Sequence, residues 1–211
     1  MDPTELIVVR HGESVWNLDG RQQGHLDSPL TELGVRQAQA VAAALVAVHC
    51  HALYSSDLGR AAQTAAIIGR ALGLSVITDV RLRERHLGII QARTMADFAR
   101  EHPDHYARFA GDDPDYAIPG GESVRQRHER SVACAEDVAR RHAGRCVVIV
   151  THGGPLGSLM RHALGLPPAG ARRFSLFNAS INRFTVKDGE WRLISWGDTH
   201  HLHGLGARDD W

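Results

Sequence analysis

The sequence predicts an α/β fold built on a mostly parallel sheet with helices over both faces. Two observations carry that expectation. Short apolar runs alternate with longer segments of helical character along the chain. Two of the runs, Leu6-Ile7-Val8-Val9 and Val147-Val148-Ile149-Val150, are apolar at every position, as strands buried on both faces must be.

Leu6 to Val9 is the first strand, and it ends in the charged residues Arg10-His11. Thr31 is positioned to cap a helix reaching about Val48, with Gly34, Ala38, Val41 and Leu45 on one face. Ala52-Leu53-Tyr54 forms a second, weaker strand. Ser55-Ser56-Asp57 then supplies cap candidates for a helix through Leu72, which Gly73 stops. Ser75 to Thr78 is a third strand. The segment from about Thr94 to Pro119 is polar and partly helical, with a loop at Asp112-Asp113-Pro114-Asp115. A long helix fills Glu122 to His142. Val147 to Val150 is the clearest strand, followed by Thr151-His152-Gly153-Gly154 and a helix from about Pro155. Ile181–Val186 and Trp191–Trp196 flank an Asp188-Gly189 hairpin turn.

The 211 residues suit one domain, 1–211. Lys+Arg and Asp+Glu are both 24, which gives no basic footprint for a nucleic acid. No apolar run approaches the roughly 20 residues of a membrane span. Met1 to Glu5 has no basic segment leading into an apolar one, so no secretory leader is expected. Cys50, Cys134 and Cys146 form no Cys-x-x-Cys pair, which argues against a zinc knuckle or disulfide framework and fits the cytoplasm. The sequence does not fix an oligomeric state, and a homodimer is compatible with it.

In sheets of this kind, ligands sit beyond the carboxyl ends of the strands. Two strands end in histidine, at His11 and His152. An imidazole with an unprotonated nitrogen can take up a phosphoryl group, splitting a slow hydrolysis into two steps. Arg10 would oppose imidazolium formation at His11 and hold a phosphate oxygen. Arg60, in the first turn of its helix, and His152 would add donors around the same group. Glu84, in Arg83-Glu84-Arg85, is the candidate acid and base; its spacing alone favours a loop carboxylate paired with neighbouring arginines. Glu13 either orients the His11 ring or is surface charge. Trp16 lines a pocket or packs in the core, Trp191 and Trp196 pack on the sheet, and Arg172-Arg173 reads as solvated surface. His102, His105, His128 and His142 read as surface residues. Asp198 with His200, His201 and His203 fits no trusted zinc spacing, so no metal is expected.

Six ordered blocks together resemble the histidine phosphatase superfamily, also called the phosphoglycerate mutase-like family. They are Arg10-His11-Gly12-Glu13 with Asn17, Arg21-Gln22-Gln23-Gly24 continuing to Asp27-Ser28-Pro29-Leu30-Thr31, and Ser55-Ser56-Asp57-Leu58-Gly59-Arg60-Ala61 with Thr64. Leu82-Arg83-Glu84-Arg85-His86-Leu87-Gly88, Pro119-Gly120-Gly121-Glu122-Ser123 and Thr151-His152-Gly153 follow. The resemblance implies a three-layer α/β/α sandwich and a chemistry without metal or cofactor. It implies His11 as nucleophile and phosphohistidine, and Glu84 as acid then base. It also implies Arg10, Arg60 and His152 as phosphoryl ligands, with Asn17 and Gln23 adding hydrogen bonds.

Gln91-Ala92 departs from the Glu-Gly that many members carry. The helical cap insertion, at about 89–120, is short, whereas bisphosphoglycerate-using mutases have a long one. A short cap leaves the site open to water, the acceptor for a phosphatase. The expected activity is therefore a histidine acid phosphatase-type hydrolysis of a small phosphorylated metabolite. The alternatives are a phosphoglycerate mutase, which Arg83 and Arg85 would suit, and a non-catalytic phosphate-binding protein.

Overall fold

The computed structural model describes residues 2–207 and 209. In chain order the elements are β1 (Thr4–Arg10), α1 (Val15–Leu18), α2 (Glu32–Leu45), β2 (Ala52–Ser55), α3 (Gly59–Leu72), β3 (Val76–Thr78), α4 (Met95–Glu101), α5 (Pro103–Phe109), α6 (Val124–Arg141), β4 (Cys146–Thr151), α7 (Gly153–Ala163), β5 (Ile181–Lys187) and β6 (Glu190–Asp198). The strands make one sheet in the order β3-β2-β4-β1-β5-β6. β3, β2, β4 and β1 are parallel neighbours, and β5 runs against both β1 and β6.

The alternation of side chains along each strand divides the core into two layers. Leu6, Val8, Val147 and Ile149 face α6 and α7, meeting Val132, Val138, Leu156 and Leu159. Ile7, Val9, Val148 and Val150 face α2 and α3, meeting Val41, Leu45, Ala65 and Ile68. The result is the expected three-layer sandwich with a mostly parallel sheet. Among the described residues, no helix is long and apolar enough to cross a membrane.

Local signals in the sequence act largely as anticipated. Thr31 caps α2 by accepting from the Gly34 amide at 3.0 Å, and the α2 face of Gly34, Ala38, Val41 and Leu45 is buried. Gly73 ends α3 in the left-handed conformation at φ 66°. Ser123 and Gln126 form a capping box at the start of α6. The β5–β6 hairpin turns through Asp188 and Gly189 at φ 52° and 81°, the positive pair that a two-residue turn needs.

The start of α3 differs. Neither Ser55, Ser56 nor Asp57 is its cap residue. That position is Leu58, which supplies no side-chain bond. The Asp27 carboxylate reaches across instead, accepting from the amides of Gly59 and Arg60. Ser56 is thereby left for another partner. Several surface readings also change. His142 meets the Tyr54 hydroxyl at 3.1 Å, His105 meets the Tyr116 hydroxyl at 2.9 Å, and His128 is half-buried. Cys146, at the start of β4, brings its Sγ to 3.8 Å from that of Cys50.

The 89–120 segment carries α4 and α5 around a small cluster of Ile90, Phe98, Tyr116 and Ile118. Its entry is tied to the 21–23 loop by Ala92 N to Gln22 O and Gln22 N to Arg93 O, at 2.8 and 2.9 Å. That tie holds Ala92 at φ 67°. The left-handed region costs an L-residue roughly 1–2 kcal/mol, and glycine returns roughly half of the relief as chain entropy. Ala92→Gly should therefore raise unfolding stability by up to about 1 kcal/mol in urea titration; a decrease would show that the loop does not strain this residue.

Candidate active site

The register of the sheet builds the site. Arg10 pairs with Thr151 across β1 and β4, and the His11 amide continues the ladder to the Thr151 carbonyl at 2.9 Å. His11 and His152 therefore leave adjacent strand ends together, with ring centroids 5.1 Å apart. Ser55 pairs with Val150 on the other side, so Ser56 follows at the next strand end.

His11 is 3% exposed. Its Nδ1 lies 2.7 Å from the Gly12 carbonyl oxygen, which can only accept. Nδ1 therefore carries the proton, and in the neutral ring Nε2 keeps its lone pair. Burial pushes the His11 pKa well below its ordinary value, and the Arg60 and Arg10 charges push it further. The Gly12 loop is fixed by close backbone contact. A Cβ on Gly12 would overlap the Gly34 carbonyl, and one on Gly34 would overlap that of Glu13, so α2 is pressed against the histidine loop.

His152 occupies the cap position of α7 and is fully buried. Its Nε2 lies 2.9 Å from the Ser56 hydroxyl, which also accepts from the Leu58 amide at 3.3 Å. Its Nδ1 has no hydrogen-bond partner among the described residues. Burial lowers the His152 pKa well below the ordinary value, reinforced by Arg60, His11 and Arg10.

Arg10 and Arg60 bring two buried guanidiniums to this pair, at 5% and 1% exposure. Arg10 donates to the Leu176 carbonyl. Arg60 donates to the carbonyls of Leu26 and Gly24 at 3.0 and 2.9 Å and meets Asp27 at 3.0 Å. Glu84 accepts from the Arg85 amide at 2.7 Å and, with its other oxygen, from the Gly154 amide at 2.8 Å. It is not ion-paired to its neighbouring arginines. Arg83 is bound to Asp57 at 2.5 Å, while Arg85 donates to the carbonyls of Glu122 and Tyr116 at 2.7 and 2.9 Å.

Arg10, His11, Asn17, Gln23, Arg60 and Glu84 line one cavity of about 620 Å³, and His152 stands behind it against His11. The structure thus brings together all seven residues singled out from the sequence. Gln23 keeps its amide oxygen on the hydroxyls of Ser14 and Ser28, both at 3.1 Å, which leaves the NH2 end as the donor. Trp16 lines the cavity rather than the core. So does Arg172, read above as surface. His201 bonds the Ala179 carbonyl at 3.0 Å, behind the His11 loop.

Sequence reasoning missed several residues. Asn178 donates to the His11 carbonyl at 3.2 Å from an irregular segment that carries no motif. Arg130 donates to the carbonyls of Arg81, Arg83 and Glu84 at 2.7–2.8 Å and so hangs the Glu84 loop from α6. Its one legible signal is position, because it faces the loop eight residues after Glu122, its partner at 2.7 Å.

The two depressed histidines make stability depend on pH. Unfolding releases them to ordinary values, so below about pH 6.5 the unfolded chain binds more protons. Their contribution is complete above that pH and is lost as the pH falls toward the folded values, by up to about 1.4 kcal/mol per pH unit for each ring. Urea unfolding at pH 7 and pH 5 measures the loss. A double variant carrying His11→Gln and His152→Gln should show a flatter dependence; an unchanged slope would mean that these rings are not the titrating pair.

A family model described as the histidine phosphatase superfamily (branch 1) matches residues 6–199. Phosphoglycerate mutase-like protein 4 of Arabidopsis thaliana is 40% identical over 210 residues, covering 98% of this chain and 90% of that protein. The metal-independent phosphoserine phosphatase of Arabidopsis thaliana is 39% identical over 206 residues, covering 96% and 85%. The solved structure of Bacillus stearothermophilus YhfR superposes with a TM-score of 0.89 at 33% identity, covering 94% of this chain and 99% of that one. With its sheet, its paired strand-end histidines and this match along nearly its whole length, the chain belongs to the histidine phosphatase superfamily.

Proposed function

We propose that this enzyme hydrolyses the phosphomonoester of a small metabolite, in the manner of a histidine acid phosphatase, through a phosphohistidine at His11. The observation that carries the reading is the His11 Nδ1 to Gly12 carbonyl bond at 2.7 Å, which leaves Nε2 as a lone-pair donor facing an anion site. Nε2 attacks phosphorus while Arg10 and Arg60 hold the equatorial oxygens, joined by His152, Asn17 and Gln23. Glu84 gives its proton to the departing oxygen, then takes one from water as water attacks the phosphohistidine. Each Glu84 oxygen keeps a second lone pair beside its amide bond, so it can carry that proton without losing its hold. The set of donors is complete without a metal or cofactor.

Hydrolysis is favoured over mutase transfer by two observations. Arg83 and Arg85, the cations that would have suited a phosphoglycerate, are bound elsewhere and do not line the cavity. From the 89–120 segment, read here as the cap of a single domain, only Met95 lines it among the described residues, so water has access. Three free thiols support a reducing compartment, the cytoplasm.

In excess chelator, the wild type should hydrolyse p-nitrophenyl phosphate with an acidic to neutral optimum, its acid limb well below pH 6.5. His11→Ala should abolish turnover, and Glu84→Gln should lower kcat roughly 10²–10⁴-fold. Quenching in alkaline detergent, where the N–P bond of phosphohistidine survives, should trap phosphate on the chain only when His11 is present. Full activity in His11→Ala, or strict dependence on added metal, would overturn the mechanism.

A further inference from the structure

Two of the three cysteines meet at the end of the sheet away from the active site, where the mechanism uses neither. Cys50 lies in the connection between α2 and β2, and Cys146 opens β4, 96 positions along the chain. The register brings them close. Ala52 pairs with Val147, and the His51 amide donates to the Cys146 carbonyl at 2.9 Å, so Cys50 stands one step beyond that bond. His49 and His51 are exposed on either side of it, with ring centroids 4.7 Å apart, and Cys50 between them turns inward. Both cysteines are half-buried against the α2–α3 layer of the core, and their sulfurs are 3.8 Å apart.

A small movement would make that contact covalent, since a disulfide needs its sulfurs about 2.05 Å apart. Cys146 is held in the ladder by its pairing with Glu5, whereas Cys50 belongs to no strand. The remaining approach therefore falls on the connection. Cys50 also borders a surface cavity of about 470 Å³, with Val46, Val48, Leu72 and Leu74, which admits a small oxidant. The two sulfurs are not equivalent. A hydrogen bond from Cys146 holds the Cys50 thiol below its ordinary value against the effect of burial, while the same bond and burial push the Cys146 thiol up. Cys50 ionises first, and a thiolate is the form that reacts. Cys134 is the contrast within the same chain. It is fully buried, and burial pushes its thiol up to about 12.

We propose that Cys50 and Cys146 are a site of reversible oxidation, where hydrogen peroxide joins them in a disulfide that clips the fold. The Cys50 thiolate attacks one peroxide oxygen and the O–O bond breaks. The other oxygen leaves as hydroxide, takes up the proton that Cys50 had released and becomes water. Cys50 is left as a sulfenic acid. The Cys146 sulfur then attacks the Cys50 sulfur, the S–O bond breaks, and hydroxide leaves with the Cys146 proton as a second water. Two thiols are oxidised by two electrons, and one peroxide is reduced to two waters. The bridge encloses Arg60, Glu84 and the 89–120 segment in one long loop, so it restrains the unfolded chain far more than the folded one. It lies six residues of β4, about 20 Å, from His152, and so leaves the phosphoryl site untouched.

The test treats the full reduced chain with a modest excess of hydrogen peroxide under native conditions. Two of the three thiols should disappear. Tryptic digestion without reductant should show peptides 37–60 and 146–161 joined within one chain, with Cys134 still free. The urea midpoint of the oxidised chain should rise by roughly 1 M or more and return after dithiothreitol. These readings need no variant. Cys146→Ser keeps a hydroxyl donor beside Cys50 and should give a dimedone adduct on peptide 37–60, whereas Cys50→Ser should leave Cys146 unmodified. Retention of all three thiols, oxidation of Cys134 at the same rate, or a bridge between two chains would overturn the site. A joined pair with an unchanged or lower urea midpoint would overturn the clip. An adduct on peptide 146–161 in Cys50→Ser, with none on 37–60 in Cys146→Ser, would overturn Cys50 as the attacking sulfur.

Discussion

Six consecutive pairings join β1 to β4, from Glu5 with Cys146 to Arg10 with Thr151. Both strands are buried on both faces, so their side chains alternate between the α2–α3 layer and the α6–α7 layer. A slip of one residue would turn every one of those side chains to the wrong layer. The hydrophobic core therefore fixes the register, and the register delivers His11 and His152 side by side just past the last pairing. Placement of the two imidazoles is a by-product of packing that involves neither of them.

The charges gathered there are unfavourable in the resting molecule. Two guanidiniums and two imidazoles are buried together, and the chain accommodates them with backbone carbonyls and, at Arg60, with the Asp27 carboxylate. Gly24, Leu26 and Leu176 each turn an oxygen to a guanidinium. Carbonyl dipoles meet several of the N–H groups without neutralising the charge, and although Asp27 offsets part of it on Arg60, both guanidiniums still hold the histidine pKa values down, so positive potential remains for an incoming dianion. Both histidines stay neutral under that potential. For His11 this is the nucleophilic form, so one electrostatic arrangement attracts the phosphoryl group and prepares the atom that attacks it.

The strands, the α2 cap and the β5–β6 turn were legible in the sequence because each depends on residues close together in the chain. So were the residues at strand ends and in ordered motifs, from His11 to His152. What escaped depends on distant partners. Ser56 looks like a cap beside α3, but Asp27 had already taken the amides of that helix, and Ser56 serves His152 instead. Arg172 resembles surface charge because its neighbour in space, Asp209, is 37 positions away, 209 less 172. Asn178 and Arg130 act by bonding main-chain oxygens, and any sequence can present those.

The meeting of Gly12 and Gly34 has a consequence beyond geometry. Neither residue has a side chain to offer a substrate, and Gly12 serves His11 through its main-chain carbonyl alone. Each nevertheless forbids a methyl group on the other's segment. In a saturation library scored for survival, both positions would tolerate glycine alone and would rank with His11 as indispensable. A conservation profile of descendants would show the same peak. Constraint at Gly34 measures how near two stretches of main chain must lie, and the two positions would be inherited as a linked pair with no side-chain chemistry of their own.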